Sequence, residues 1–119
     1  MLIIELPFPP SINHYWKHRV IGRHASIYLS DDALKFRAEV RNRIGVMVAT
    51  PDRLSVSIDL FAPNKRTYDI DNRIKSILDA FTHAGVWIDD EQVDELCVKR
   101  MKIIKDGKAI VRVNKIIDK

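Results

Sequence analysis

The sequence predicts one α+β domain that spans residues 1–119, with a mixed β-sheet and two main helices covering one of its faces. Three observations predict this class: two stretches with apolar residues at helical spacing, one stretch of strict alternation between them, and β-rich runs towards the C-terminus. The predicted order of elements is β, loop, α, β, α, β-hairpin. The chain has 119 residues, of which 46% are hydrophobic and 30% charged. One compact core is therefore expected, and the length excludes a separate cofactor domain.

The N-terminal part is predicted to contain a strand, a long loop and a helix. Residues 2–6 form the short strand, which ends at Pro7–Pro10 because proline has no backbone donor for a sheet. Residues 11–29 show no clean period and are predicted to be a long functional loop. Ser30 is the predicted N-cap of the first helix, which continues into an apolar face. That face consists of Phe36, Val40, Ile44 and Met47.

The middle of the chain contains a predicted strand and a second helix. Apolar and polar residues alternate over residues 54–60, as expected of a half-buried strand. A loop follows, and the second helix covers residues 70–81. Gly85 lies where glycine commonly terminates a helix. The apolar face of this helix consists of Ile70, Ile74, Ile77, Leu78 and Phe81.

The C-terminal part is predicted to be a β-hairpin. The runs 96–104 and 109–117 flank Asp106-Gly107, and an Asp-Gly pair between two β-rich runs is typical of a tight hairpin turn. Strands of this kind leave sheet edges that need covering, which partly supports a dimer. Charges such as Lys99 and Arg100 could instead protect the edge in a monomer.

The charge distribution favours a polyanionic partner. The net charge is +4, but residues 67–96 carry eight acidic and two basic side chains, whereas the flanking segments are basic. This arrangement predicts a nucleic-acid surface with a local cation site, unless the two signs neutralise each other across the folded surface. No apolar run is long enough for a membrane span, the start is not a secretory signal, and Cys97 alone excludes a disulfide framework. A cytoplasmic protein is expected.

The candidate metal site lies in two acidic segments. Asp69 and Asp71 come at the start of the second helix, and Asp90 follows that helix in the loop Asp89-Asp90-Glu91. Converging carboxylates suit Mg²⁺ or Mn²⁺, which prefer oxygen ligands. Lys75 is four residues after Asp71, on the same helix face, where it could stabilise charge on a phosphoryl transition state.

Structural explanations remain open for each of these residues. Asp69 and Asp71 could serve only the N-terminus of the helix, as a cap and as dipole partners. Lys75 could pair with Asp71 or Asp79 on a solvated surface. The acidic residues 89–95 could form a solvated turn, and Asn72 could be an ordinary first-turn residue.

Three segments together resemble the RusA family of Holliday junction resolvases. They are Pro7–Asn13, then Asp69–Ala80 with the pattern DxDN-x-x-K-x-x-x-DA, and then Gly85–Val93 with the pattern GxWxDD-x-QV. The resemblance covers essentially the whole chain. It implies a small homodimeric, Mg²⁺-dependent endonuclease that cuts four-way DNA junctions by paired symmetric nicks. It also implies that Asp69, Asp71 and Asp90 hold the metal and that Lys75 is the catalytic lysine.

The same resemblance implies two DNA-contacting stretches, Ser11–His14 and Lys65–Asn72, and nearby basic residues are expected to add phosphate contacts. The predicted DNA-binding residues are Ser11, Ile12, Asn13, His14, Lys17, Lys65, Arg66, Tyr68, Asn72 and Arg73. Arg19 and Arg23 are further candidates for phosphate contacts.

The leading hypothesis is therefore a Mg²⁺-dependent endodeoxyribonuclease, with Mn²⁺ as a substitute, that resolves Holliday junctions in recombination and repair and leaves 5′-phosphate ends. Its expected partners are branched DNA of the nucleoid and a second copy of the chain, with no membrane and no small-molecule cofactor. The alternative is a non-catalytic nucleic-acid-binding or regulatory module, or an interaction protein whose acidic middle pairs with a basic partner.

Overall fold

The structure, a computed structural model, describes residues 2–14, 16–21 and 24–117, without the side chains of residues 14–27. Along the chain the elements are β1 (Leu2–Leu6), β2 (Trp16–Ile21), β3 (His24–Leu29), α1 (Asp31–Ile44), β4 (Leu54–Phe61), α2 (Asp71–Ala84), β5 (Val93–Arg100) and β6 (Lys108–Lys115), with short 3-10 helices at Ile12–His14 and Asp90–Gln92.

Four strands form a mixed sheet in the order β1-β6-β4-β5. The central strand β4 pairs in parallel with β5 and antiparallel with β6, and β6 pairs antiparallel with β1. Because α2 connects β4 to β5, these two neighbours run in the same direction, as a helical crossover requires. The α+β class and the mixed sheet with two helices are confirmed. No helix in the described residues is long and apolar enough to span a bilayer.

The core lies between one face of the sheet and the two helices. The predicted alternation of β4 is confirmed, since its residues are buried at every second position from Leu54 to Leu60. Ile77 and Phe81 of α2 are fully buried against this face, together with Trp87. The Trp87 indole lies 5.5 Å from the Phe81 ring and donates to Thr82 Oγ1 at 2.7 Å. This packing fixes the segment after α2 against the helix itself.

The predicted start of α1 and the predicted end of α2 are both confirmed. The Ser30 side chain accepts a hydrogen bond from the Ala33 amide at 3.1 Å, so it is the N-cap of α1. Gly85 follows α2 in the left-handed conformation, with φ of 82°. The predicted extension of α1 to Met47 is wrong, because the helix ends at Ile44 and Gly45 follows with φ of 76°.

The predicted C-terminal hairpin is wrong. β5 and β6 do not pair with each other, because β4 lies between them in the sheet. The Asp-Gly turn itself is present, with φ of 68° at Asp106 and 66° at Gly107. At Gly107 an added Cβ would come within 3.0 Å of the Phe61 carbonyl oxygen, so the turn passes closely over the end of β4.

The predicted loop over residues 11–29 is also largely wrong. Most of this segment forms a second, two-stranded sheet in which β2 and β3 pair antiparallel, from Trp16 opposite Leu29 to Ile21 opposite His24. Only a short 3-10 helix at Ile12–His14 precedes it. The absence of an apolar alternation in these residues concealed the strands, since the two-stranded sheet is not part of the core sheet.

Candidate active site

The N-terminus of α2 leaves two carboxylates without a structural partner. Asp71 is the first residue of the helix, and the N-cap position is occupied by Ile70, which makes no side-chain cap hydrogen bond. The Asp69 backbone carbonyl accepts from the Asn72 amide at 3.3 Å. The side chains of Asp69 and Asp71 are exposed and make no hydrogen bond or ion pair with a described residue. The simple capping explanation for these two aspartates is therefore not supported.

The segment Pro7–Pro10 is held against α2 by side chains of the helix that donate hydrogen bonds to the backbone carbonyls of the segment. The Arg73 guanidinium donates to the Pro9 carbonyl at 2.7 Å and lies 5.0 Å from the centre of the Phe8 ring. The Ser76 hydroxyl donates to the Pro10 carbonyl at 3.0 Å. Residues 7–10 lie outside the strands, so their carbonyls need hydrogen-bond contacts elsewhere. Arg73 and Ser76 provide two of these contacts and thereby fix the position of the N-terminal segment.

This docking forms a groove of about 380 Å³ beside Asp69. Its walls come from Ser11 at the end of the N-terminal segment, from the loop before α2 and from the first turn of α2. The lining residues are Ser11, Arg66, Thr67, Tyr68, Asp69, Asn72 and Arg73. The structure thus brings five of the predicted DNA-binding residues together with one predicted metal ligand, across more than fifty residues of sequence.

Arg73 and Tyr68 make protein contacts that their sequence interpretation did not include. The Phe8 and Tyr68 rings pack edge-to-face at 5.4 Å, and the Arg73 guanidinium lies 5.7 Å from the centre of the Tyr68 ring. Burial lowers the pKa of Arg73, which still remains a cation. The Tyr68 hydroxyl and Arg73 Nε are buried and have no hydrogen-bond partner among the described residues.

Lys75 contacts Asp90, and this contact joins the two acidic segments. Lys75 Nζ lies 2.7 Å from Asp90 Oδ2, although the residues are fifteen positions apart. The hydrogen bond from Lys75 lowers the pKa of Asp90, so this half-buried carboxyl stays ionised. The structural alternative in which Lys75 pairs with Asp79 is wrong, because Asp79 accepts two hydrogen bonds from Arg37 at 2.6 and 2.9 Å.

The turn that carries Asp90 is fixed by a capping box and a buried glutamine. Asp89 is the N-cap, and its carboxylate accepts from the Glu91 amide at 3.3 Å. Gln92 is buried and accepts from the Ile88 and Asp89 amides at 2.8 and 3.0 Å. Its amide donates to the Thr50 and Asp52 carbonyls, both at 2.8 Å. This role of Gln92 was not predicted from the sequence, although an Asp followed three residues later by Gln is a capping-box signal.

The carboxylates fit a hard divalent cation in donor chemistry, but they do not form a complete cluster. In the part of the chain that the structure describes, no three acidic, histidine or cysteine side chains lie close enough together to hold one ion. Asp69 and Asp71 are uncommitted oxygen donors, and Asp90 is ionised next to Lys75. Such donors match the preference of Mg²⁺ and Mn²⁺ for carboxylate and water ligands. The metal site stays a prediction.

The remaining predicted DNA-binding residues lie around this groove or outside the described side chains. Ile12 and Asn13 are in the 3-10 helix, where the Asn13 amide donates to Ser11 Oγ at 3.1 Å. Lys65 is exposed in the loop before α2. The side chains of His14, Lys17 and Arg19, and the whole of Arg23, lie outside the described part of the chain.

A sequence profile described as endodeoxyribonuclease RusA matches residues 7–114. The chain belongs to the RusA family. This assignment covers almost the whole sequence, includes every segment of the site described above, and confirms both the resemblance and the expectation of an endodeoxyribonuclease.

Curated RusA relatives match over nearly their whole length. The crossover junction endodeoxyribonuclease of Enterobacteria phage HK97 is 33% identical over 114 residues, which are 93% of this chain and 92% of the relative. The enzyme of the same name from Escherichia coli strain K12 is 33% identical over 110 residues, 88% and 87% of the two chains. The protein from Enterobacteria phage 82 is 32% identical over 110 residues.

Proposed function

We propose that this RusA family member is a Mg²⁺-dependent endonuclease that resolves four-way DNA junctions by paired, symmetric nicks. The observation that carries the proposal is the contact between Lys75 Nζ and Asp90 Oδ2 at 2.7 Å. It joins Asp90, in the turn after α2, to Lys75, which lies one helical turn after Asp71 in α2.

In this proposal, Asp69, Asp71 and Asp90 are the residues that hold the divalent ion. Bound Mg²⁺ supplies an activated water and neutralises phosphate charge. The chain contributes the carboxylates, and the hydrogen bond from Lys75 lowers the pKa of Asp90 below its ordinary range. In this proposal Lys75 also supplies a positive charge next to Asp90, which would stabilise the negative charge that develops on the phosphate during hydrolysis.

The groove next to Asp69 is the proposed path of the DNA backbone. Arg66, Asn72 and Ser11 line it with a cation and with hydrogen-bonding groups suited to phosphate oxygens. Exposed carboxylates alone would repel DNA, and cations bound to them reverse the sign of the local potential. The basic side chains around the groove are expected to give junction binding a strong salt dependence.

The paired nicks require two sites related by symmetry, so the proposal includes a homodimer. One chain carries one set of the four candidate catalytic residues, and a two-fold pair of chains would match the symmetry of a junction. The strands β1 and β5 are the outer strands of the sheet and leave edges available for an interface. Light scattering tests this: a mass that stays near 13.8 kDa with and without junction DNA would contradict the dimer.

A cleavage assay tests the activity itself. A four-way junction and a linear duplex of the same sequence are incubated with the protein and Mg²⁺, and with Mn²⁺ in parallel. Symmetric nicks with 5′-phosphate ends in the junction only are the expected result. Junction binding that persists in EDTA without nicking in either metal would instead identify a non-catalytic binding module.

A further inference from the structure

Arg100 contacts the residue immediately before Asp69. It is the last residue of β5, where it lies opposite Leu60 of β4. Its Nη2 atom donates to the Tyr68 carbonyl at 2.6 Å, and its guanidinium lies 4.7 Å from the centre of the Tyr68 ring. One side chain therefore contacts both the backbone and the ring of Tyr68.

Tyr68 is also contacted by elements other than β5. The Phe8 ring packs against it edge-to-face at 5.4 Å, and the Arg73 guanidinium lies 5.7 Å from its ring centre. Tyr68 is thus bound by the N-terminal segment, by α2 and by the end of β5. A carbonyl that accepts a hydrogen bond fixes the plane of its peptide unit, which here is the unit that joins Tyr68 to Asp69.

Asp69 depends on this backbone anchoring because its own side chain has no partner in the described residues. The next residue, Ile70, is an N-cap without a side-chain hydrogen bond, so the usual device that fixes a helix start is absent as well. The Asp69 carboxylate is therefore oriented by the peptide units on either side of it. Arg100 is bonded to the first of them.

We propose that Arg100 is a positioning residue for Asp69, and that it acts by binding the Tyr68 carbonyl and stacking on the Tyr68 ring. This inference rests on the proposed function, in which Asp69 holds the divalent ion. It assigns a role in the site to a residue of β5, a strand that contributes none of the predicted site residues.

The competing explanation is an ordinary phosphate contact. Arg100 is exposed and lines a groove of about 270 Å³ together with Lys65 and Arg66. The two roles differ in what they need from the side chain. A phosphate contact needs positive charge, which lysine retains, whereas the role at Tyr68 needs a planar guanidinium that can donate and stack at once.

The variant Arg100→Lys separates these roles, with Lys102→Ala as a control that removes an exposed cation two residues away. The single-turnover cleavage rate is measured at saturating junction, and the junction Kd is measured in EDTA. We expect Arg100→Lys to lower the rate on the order of 10- to 100-fold, as typical for a residue that orients a metal ligand. Its junction Kd should change by less than about threefold, and its half-saturating Mg²⁺ concentration should rise. Lys102→Ala should keep the wild-type rate.

A second measurement does not depend on activity. Hydrogen exchange followed by mass spectrometry should show faster exchange in the peptides covering residues 68–72 of Arg100→Lys, at an unchanged unfolding temperature. A wild-type rate for Arg100→Lys, a loss confined to junction affinity, or a slower rate without faster exchange would overturn the proposal. If the wild-type protein does not cleave, the proposed function fails, whereas the exchange difference still decides whether Arg100 orders this segment.

Discussion

The two main helices begin with the same residue type, but only one of them has a side-chain N-cap. Both α1 and α2 are fourteen residues long and start with an aspartate, Asp31 and Asp71 respectively. In α1 the preceding residue, Ser30, caps the helix by accepting from the Ala33 amide. In α2 the preceding residue is Ile70, which cannot cap, and the helix is instead tied to the N-terminal segment further along its length.

This difference separates structural acids from candidate functional ones. A serine N-cap stabilises a helix by about 1 kcal/mol, and acidic residues in the first turn add a favourable interaction with the helix dipole. The start of α1 uses both devices. The start of α2 has an acidic residue without the cap, next to a groove and to Asp69, whose side chain makes no hydrogen bond or ion pair with a described residue. Local stability is lower there than it could be, as is common at sites selected for chemistry.

The largest predicted effect tests the two first-turn aspartates directly. Asp71→Asn should abolish junction cleavage while keeping the fold and junction binding, because asparagine preserves shape but loses the charge that holds the cation. The matched variant Asp31→Asn, at the first position of α1, should cleave at the wild-type rate. Both are measured by cleavage in saturating Mg²⁺ and by gel-shift binding. Normal turnover by Asp71→Asn would remove Asp71 from the site.

The next largest effect on the cleavage rate is expected at Lys75, the fifth residue of α2. Lys35, the fifth residue of α1, is its matched control. Lys75→Ala should lower the cleavage rate on the order of 10²- to 10³-fold, as expected for one lost transition-state contact, with a small change in affinity. The same change should raise the pKa of Asp90 towards its ordinary range, because the hydrogen bond from Lys75 lowers it. Carboxyl titration by NMR measures that shift.

Lys35→Ala should keep the wild-type cleavage rate and leave the pKa of Asp90 unchanged, since Lys35 is exposed on α1 and the partner of Asp90 is Lys75. A parallel loss of rate and affinity in Lys75→Ala, with a weaker dependence of binding on salt, would instead identify Lys75 as a phosphate contact.

A moderate effect on stability, rather than on activity, is expected at the start of α1. Ser30→Ala removes the cap and should lower the free energy of unfolding by about 1 kcal/mol, measured by urea denaturation. The cleavage rate per folded molecule should remain that of the wild type. A loss of activity in the folded variant would contradict the division between a structural helix start and a functional one.

The smallest effect is expected at Asp89, next to the candidate metal ligand Asp90. Asp89 is an N-cap, and asparagine caps about as well as aspartate, so Asp89→Asn should change cleavage only slightly. Asp90→Asn should abolish cleavage, as at Asp71. Both are compared in one junction assay with thermal unfolding as the control. Equal losses in the two variants would contradict the assignment of the capping role to Asp89.

Elements defined by local patterns were predictable. The alternation of β4, the N-cap at Ser30 and the glycine after α2 each depend on neighbouring residues, and the structure confirms them. The pairing of strands was not predictable from the same signals. The β-rich composition of the runs at β5 and β6 indicates strands but does not specify which strands they pair with, and the Asp-Gly turn suits any tight reversal.

Competition for the central strand decided the sheet order. Helix α2 brings β5 beside β4 in parallel, and the segment after β5 stays bonded to the end of β4, with the Met101 amide donating to the Leu60 carbonyl at 2.8 Å. The chain then crosses to the opposite side of β4, where β6 pairs antiparallel. A direct hairpin of β5 with β6 would have removed β6 from β4 and left the backbone groups on that edge of β4 without the partners they have here.

The sequence by itself determined the candidate site residues that lie within one helical turn, because the spacing of Asp71 and Lys75 places them on one face of α2 whatever surrounds it. It also determined the acidic turn at Asp89-Asp90. Only the tertiary structure decided that Lys75 contacts Asp90 rather than Asp79, and that Arg100 contacts Tyr68. Side-chain types and spacing specify which partners are chemically suitable, whereas the choice among suitable partners depends on how α2, β5 and the connecting segments pack around one core.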